Sequence, residues 1–322
     1  MDAVAIRSLL FVPGDSERKI EKALASEADA VIIDLEDAVS PENKATARSV
    51  TREMLSSAER AGKKVFVRLN AFDTGLVATD LAAVLCGKPW GIVLPKCTSP
   101  AELEKLSSYL DALEAREGID EDSTRIMTVA TETAGATLNL SMPYSVAARR
   151  LWGMLWGGED LSATLGASTN RDEDGEYTFP YQFARSQCLY AANALNVQPA
   201  DAVYTDFGNE KGLETETRMA LRDGFTAKAA IHPNQVAIIN EVLTPNKDQI
   251  DWAEQVVDLL SETGVARLEG RMIDLAHKRV AERILLRARA AGYYSFSVVF
   301  RNKSDADRAL GGSAKGQSNC HI

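Results

Sequence analysis

Trp156-Gly157-Gly158-Glu159-Asp160-Leu161 and, upstream of it, Thr131-Glu132-Thr133-Ala134-Gly135 are the stretches on which the fold turns. Each sets an acidic residue just behind a short apolar run, Leu151 to Trp156 in one case and Ile126 to Ala130 in the other. Apolar runs of that length bounded by glycine have the signature of buried parallel strands. In a parallel α/β barrel the carboxyl ends of the strands form the active-site face, so Glu132 and Asp160 are expected near each other on one rim. Two hard oxygen ligands on a rigid rim suit Mg2+, which keeps some of its waters for a substrate. The same acids also fit a plainer role at the N-caps or first turns of the helices that follow. Spacing alone leaves both readings open.

The alternation continues outward in both directions. Candidate strands run over Ser8 to Val12, Ala30 to Leu35, Lys64 to Leu69, Gly91 to Pro95, Arg125 to Ala130, Leu151 to Trp156, Asp201 to Thr205 and Ala227 to Ile231. Between them lie amphipathic segments such as Ser16 to Ser26, Glu42 to Arg60, Pro100 to Arg116, Phe179 to Leu195 and Glu210 to Arg222. Ser40-Pro41-Glu42 and Ser99-Pro100 mark two helix starts, and Gly62 one helix end. Eight such units predict a (β/α)8 TIM barrel. A doubly wound open sheet is the alternative, but Val12-Pro13-Gly14-Asp15 after the first strand lacks the glycine-rich dinucleotide fingerprint. Beyond the eighth strand, Asn246 to Thr263 and Met272 to Ala291 read as two helices separated by Gly264 to Gly270. The expected division is therefore a catalytic barrel over 1–243, a helical extension over 244–294 serving as lid or oligomer contact, and a tail over 295–322. Its end, Asn302 to Ile322, is rich in Gly, Ser, Lys and Asp without an apolar period, and the tail is expected to be poorly ordered.

Composition narrows the function. With 45% hydrophobic and 25% charged residues, the 322-residue chain has an ordinary globular profile. A net charge of -10 without a basic cluster argues against nucleic acid as the main partner. No apolar run is long enough to span a bilayer, and the first residues, Met1 to Arg7, do not read as a signal peptide. Cys86, Cys97, Cys188 and Cys320 are scattered without CxxC spacing, which fits reduced thiols in a cytoplasmic protein.

Charged residues gather where strands end: Glu36 and Asp37 after the second, Arg68 on the third, Lys96 after the fourth, Glu132, then Glu159 and Asp160, and His232 after the eighth. Clustered carboxylates repel and persist where a cation or substrate compensates them. Arg68, behind Val65-Phe66-Val67, suits an oxyanion held by two parallel hydrogen bonds. A salt bridge to Glu36 or Asp37 is the compatible alternative. Lys96 reads either as a Schiff-base lysine or as a binding cation balancing the acids, and the second is favoured because the acidic pair already provides for a metal. His232 is a minor proton-shuttle candidate.

Seven motifs taken in order resemble the citrate lyase β-subunit-like family of the HpcH/HpaI aldolase superfamily, which includes malyl-CoA and citramalyl-CoA lyases. They are Arg7-Ser8-Leu9-Leu10-Phe11-Val12-Pro13-Gly14, Asp34-Leu35-Glu36-Asp37-Ala38-Val39, Val67-Arg68-Leu69-Asn70, Leu94-Pro95-Lys96, Glu132-Thr133-Ala134-Gly135, Gly158-Glu159-Asp160-Leu161 and Ile231-His232-Pro233-Asn234-Gln235. The resemblance runs from about Arg7 to Ala291. It implies a TIM barrel with a C-terminal extension, a homotrimer or hexamer, Mg2+ on Glu132 and Asp160, and Arg68 on the oxygens of the acyl group. Gly270-Arg271-Met272-Ile273-Asp274 matches a lid segment whose aspartate works as acid/base at a neighbouring subunit's site, so Asp274 carries over. Relatives often have proline soon after that aspartate, where this chain has Leu275-Ala276-His277. Glu36 and Asp37 are expected to orient Arg68 and metal-bound waters, and Phe11 and Lys22 match positions touching the nucleotide end of CoA.

The resemblance thus implies a Mg2+-dependent retro-Claisen or retro-aldol cleavage of a 3-hydroxyacyl-CoA thioester to acetyl-CoA and a small 2-oxo acid, or the reverse. A malyl-CoA thioesterase giving net malate synthesis, a citryl-acyl-carrier-protein lyase subunit, a CoA-independent metal aldolase and an inert assembly subunit are the competing readings.

Overall fold

A computed structural model describes residues 6–57, 60, 62–140 and 149–293. Eight parallel strands close into a barrel in sequence order. They are β1 (Ser8–Pro13), β2 (Ala30–Asp34), β3 (Lys64–Arg68), β4 (Gly91–Leu94), β5 (Arg125–Val129), β6 (Leu151–Leu155), β7 (Gln198–Asp201) and β8 (Ala227–Ala230). β1 pairs with both β2 and β8, which closes the ring. The expected TIM barrel is borne out.

Strand residues alternate between two buried environments, as the period of two requires. Val31, Ile33, Val65, Val67, Ile92 and Leu94 join the core beneath the helices. Leu9, Ile32, Phe66, Val93, Met127 and Leu155, of the opposite parity, are equally buried and fill the barrel. With both faces covered, the strands read as continuous apolar runs, which made them legible in the sequence.

The seventh strand lies three residues earlier than expected, at Gln198–Asp201 instead of Asp201 to Thr205. Pro199 sits inside it, and a proline without an N–H reads as a break. Asp201 is thereby a strand residue, in register with Lys228 of β8. Its carboxylate accepts from Lys228 Nζ at 2.9 Å, Arg185 Nε at 2.9 Å and Trp156 Nε1 at 2.7 Å. Burial works against the ionised form, but Lys228 and Arg185 outweigh it and hold Asp201 well below the usual carboxylate range.

Helices α1 (Glu17–Ala25), α2 (Lys44–Ser57), α3 (Val77–Val84), α4 (Pro100–Glu117), α5 (Ala134–Asn139), α6 (Gly158–Leu165), α7 (Phe179–Ala194), α8 (Glu210–Asp223) and α9 (Pro233–Leu243) follow the strands. α4 shows why these ends could be read: Pro100 fits the first turn, where its missing N–H costs nothing, and Gly118 closes the helix at φ 61°.

The described residues fall into two compact units, divided after Leu243. The second comprises α10 (Lys247–Leu259), β9 (Val265–Leu268), β10 (Arg271–Asp274) and α11 (Leu275–Ala290). It has its own small core, including Ile250, Ala253, Val256, Ile273, Ala281 and Leu285. Here the expectation needs correction. Gly264 to Gly270 does not simply link two helices, and Met272 does not begin one. β9 and β10 pair antiparallel across Glu269-Gly270. Both turn residues have positive φ, 48° and 81°, as a two-residue hairpin turn of type I′ requires. The tail expected to be poorly ordered, 295–322, lies outside the described residues.

Candidate active site

Ile32 and Phe66 point into the barrel, so Asp34 and Arg68, two positions further along, point into its carboxyl-terminal mouth. They are register partners on β2 and β3. The Arg68 guanidinium makes two parallel bonds to Asp34, from Nε to Oδ1 at 2.7 Å and from Nη2 to Oδ2 at 2.6 Å. Asp34 also accepts the backbone N–H groups of Glu36 at 2.8 Å and Ala38 at 3.0 Å. These bonds turn the chain after β2 and keep Glu36 on the rim. Burial favours the neutral form of Asp34, but Arg68 and the two backbone donors prevail and hold its carboxyl below the ordinary range. Phe11, two positions beyond inward-facing Leu9, lies against the guanidinium, with Arg68 Cζ 4.9 Å from the ring centroid.

Arg68 was expected to pair with Glu36 or Asp37. Its bidentate partner is Asp34. Glu36 Oε2 does lie 3.0 Å from Nη1, whereas Asp37 pairs with Lys96. Asp34 was missed as a site residue because the Glu-Asp pair after it drew the assignment; its register with Arg68 was the available signal.

Lys96 is the second organising residue. Its backbone is left-handed, at φ 49°, a conformation that costs a residue with a Cβ about 1–2 kcal/mol. In it the Lys96 N–H donates to a Glu132 carboxylate oxygen. The ammonium meets Glu36 Oε1 at 2.6 Å, Asp37 Oδ2 at 3.1 Å and Asp160 Oδ1 at 3.2 Å. Burial alone would lower its pKa, but the bond to Glu36 and the fields of Glu36, Glu132 and Asp160 raise it above the ordinary lysine value. An amine held protonated is not a nucleophile, so the geometry supports the balancing-cation reading of Lys96 over the Schiff-base one.

Glu132, beyond the end of β5, is 2% exposed. Asp160 lies in the first turn of α6 and keeps 33% of its side chain open. The close approach of these two segments depends on Gly157: a Cβ there would stand 2.6 Å from Glu132 Cγ. Burial first, then the fields of Asp160 and Glu36, pushes Glu132 up to about 8. Glu36 is pushed up to about 7, mainly by burial with Asp37 adding, against the pull of Arg68 and Lys96. Carboxyls raised in this way are under-compensated, and a hard divalent cation fits such a donor set. Among the described residues no three His, Cys, Asp or Glu side chains form a metal-binding group. A cation here would rest on two carboxylates and keep positions for water or substrate.

Phe11, Arg68, Glu132, Gly157 and Asp160 line one cavity of about 80 Å³, room for roughly three waters at about 30 Å³ each or a very small acid. A larger cavity of about 790 Å³ lies between α7 and α8. Its two most sheltered arginines are already paired, Arg171 with Glu216 and Arg185 with Asp223.

Three sequence candidates remain. Lys22 is exposed in the last turn of α1. His232 stacks on Phe207 and accepts from Asn234 N–H at 3.3 Å, a local structural arrangement. Asp274 belongs to the second unit and caps α11. Its Oδ1 accepts from Ala276 N at 2.9 Å and His277 N at 3.4 Å, and lies 2.8 Å from His277 Nδ1. The bonds from His277 hold its carboxyl below the ordinary range, and 41% of the side chain is exposed.

Residues 7–233 match the family described as HpcH/HpaI aldolase/citrate lyase. The chain belongs to that family. Among its curated relatives is the mitochondrial citramalyl-CoA lyase of Rattus norvegicus, 31% identical over 293 residues, covering 87% of this chain and 85% of the relative. A (3S)-malyl-CoA thioesterase of Cereibacter sphaeroides is 32% identical over 297 residues, covering 90% and 97%. Among solved structures, the Mycobacterium tuberculosis protein CitE in complex with magnesium, acetoacetate and coenzyme A superposes with a TM-score of 0.71 at 34% identity, covering 88% of this chain and 98% of that one. The family resemblance read from the seven motifs is borne out.

Proposed function

We propose that the chain is a Mg2+-dependent carbon–carbon lyase that cleaves, or in reverse forms, a 3-hydroxyacyl-CoA thioester such as malyl-CoA or citramalyl-CoA. The products of cleavage are acetyl-CoA and a small 2-oxo acid. The observation carrying this reading is that Arg68, aimed by Asp34, shares one small cavity with the Glu132–Asp160 carboxylate pair. The magnesium, acetoacetate and coenzyme A bound to CitE support it.

Of the five N–H donors of a guanidinium, Arg68 directs two at Asp34, while its Nη1 stands in an ion pair with Glu36 at 3.0 Å. Donors not taken by Asp34 are left for the substrate's oxygen atoms, where negative charge develops as the C2–C3 bond breaks or forms. Glu132 and Asp160 would hold Mg2+, which supplies Lewis-acid polarisation and a template for the oxo acid. Lys96 keeps Glu36 and Asp37 in place. Phe11 covers one side of the guanidinium, which supports a place for it at the oxo-acid end of the substrate. In condensation Asp274 removes a proton from the thioester methyl group, and the new 3-alkoxide takes up one; in cleavage the 3-hydroxyl gives up its proton and Asp274 returns one to the enolate carbon, so no net proton is gained or lost. Its three contacts fall on Oδ1, so Oδ2 is the oxygen assigned to that transfer.

A homotrimer or hexamer, with the extension serving a neighbouring copy, belongs to the same proposal. Exposed Phe179, Phe183 and Tyr190 along α7 support an assembly. Buried free thiols at Cys97 and Cys188 support a reducing compartment such as the cytoplasm. No helix among the described residues is long and apolar enough to cross a membrane.

Cleavage of malyl-CoA and citramalyl-CoA, followed separately as oxo acid and free thiol with and without Mg2+, tests the reading. Oxo acid formed only with Mg2+, and lost in Asp160→Ala, is expected. Thiol without matching oxo acid would establish the second reading, a thioesterase, which the similarity to the Cereibacter enzyme favours. No turnover of either thioester would overturn both.

A further inference from the structure

Lys96 touches both halves of the site at once: its backbone N–H is fixed on Glu132 and its ammonium on Asp160. The backbone bond is made from a left-handed conformation, so the residue is held there by its surroundings and not by its own preference. Around the ammonium stand Glu36, Asp37 and Asp160, with Glu132 acting through its field. Arg68 also acts on Glu36 and Glu132 through its field, and it is already engaged by Asp34 and Glu36.

A positive charge 3.2 Å from Asp160 opposes a second cation on the same carboxylate. Resting on the assignment of Glu132 and Asp160 to Mg2+, we propose that Lys96 is a built-in counter-ion that neutralises the cation-free site and weakens it for a divalent cation until an anionic substrate arrives. Metal and 2-oxo acid then bind interdependently. The acid's carboxylate offsets the ammonium, and the ammonium in turn penalises metal bound without substrate. Reciprocity follows from linkage: whatever the acid gains from the metal, the metal gains from the acid.

The test is Mn2+ binding to the full chain, read from the EPR signal of the free ion, with and without saturating pyruvate. Lys96→Met is expected to bind Mn2+ at least about tenfold more tightly than the unmodified protein when pyruvate is absent, since a unit charge and a divalent ion a few ångströms apart interact by more than about 2.3 RT, the equivalent of tenfold. Pyruvate should then tighten Mn2+ less in Lys96→Met than in the unmodified protein. Lys96→Arg, which keeps the charge, should retain the weaker affinity. Equal or weaker binding by Lys96→Met, or the same gain in Lys96→Arg, overturns the counter-ion role while leaving the metal assignment standing. Absence of Mn2+ binding in every variant, pyruvate included, removes the metal assignment and this inference with it. Should Lys96→Met fail to melt cooperatively, Lys96→Gln carries the same expectation.

Discussion

Asp34 fixes where Arg68 points, and lysine has no planar fork with which to satisfy that carboxylate. Arg68→Lys should lower kcat/KM by roughly 100- to 1,000-fold, the scale of losing one oxyanion donor, with the far-UV dichroism unchanged. The raised carboxyls make a second prediction. Glu36, near 7, and Glu132, near 8, hold protons in the folded protein that the unfolded chain releases around 4.5. Between those values the native state binds more protons than the unfolded one, so stability falls as pH rises. The cation-free protein should therefore melt progressively lower from about pH 5 to about pH 8, and saturating Mg2+ should flatten that slope by favouring the ionised forms. A melting temperature that rises over this window would contradict the burial of these acids. At this scale Arg68, Glu132 and Asp160 were legible because each follows an apolar run. Asp34 was not: its role comes from lateral register between two strands, which no single run displays. Lys96 was seen as a cation, but its left-handed backbone and its bond to Glu132 exist only in three dimensions.

The elements divide in the same way. Strands buried on both faces leave continuous apolar runs, and seven of the eight were found close to their true positions. The exception, β7, carries Gln198, Pro199 and Asp201 among its four residues and is held by its barrel neighbours rather than by intrinsic preference. The β9–β10 hairpin was passed over because the helical period that begins at Leu275 was extended backward across Met272, although Glu269-Gly270 offered a turn signal. Asp274 sits where that hairpin becomes α11, and its cap can be separated by substitution from the proton transfer proposed for it. Asparagine still caps a helix, whereas alanine does not. Asp274→Asn should keep its melting temperature and lose about 100- to 10,000-fold in thioester turnover. Asp274→Ala should lose the same turnover and a further ~1 kcal/mol of stability. Full turnover by the asparagine variant would leave Asp274 as a helix cap only.

The chain as a whole consists of two units with separate cores. A truncation ending at Leu243 should fold cooperatively and still bind Mg2+, yet show no thioester turnover; retained turnover would remove the extension from the chemistry. Sedimentation equilibrium of the full chain should give a trimer or a multiple of it, and a monomer at micromolar concentration would refute that assembly. The barrel and the extension could both be anticipated from the order of runs, because connectivity is written along the chain. Mutual placement of copies is not. Barrel closure has one more consequence. With β1 bonded to both β2 and β8, the ring offers no open strand edge on which another molecule could template itself. Among the described residues, exposed ladder edges are confined to β9 and β10, four residues each, with charged Arg267 and Arg271 at the surface beside exposed Val265 and Met272. Short length and like charge are what keep such edges from recruiting one another. Neutralising those two arginines is expected to make the hairpin the seam at which fibrillar aggregation begins, seen as thioflavin-positive fibres that the unmodified protein does not form.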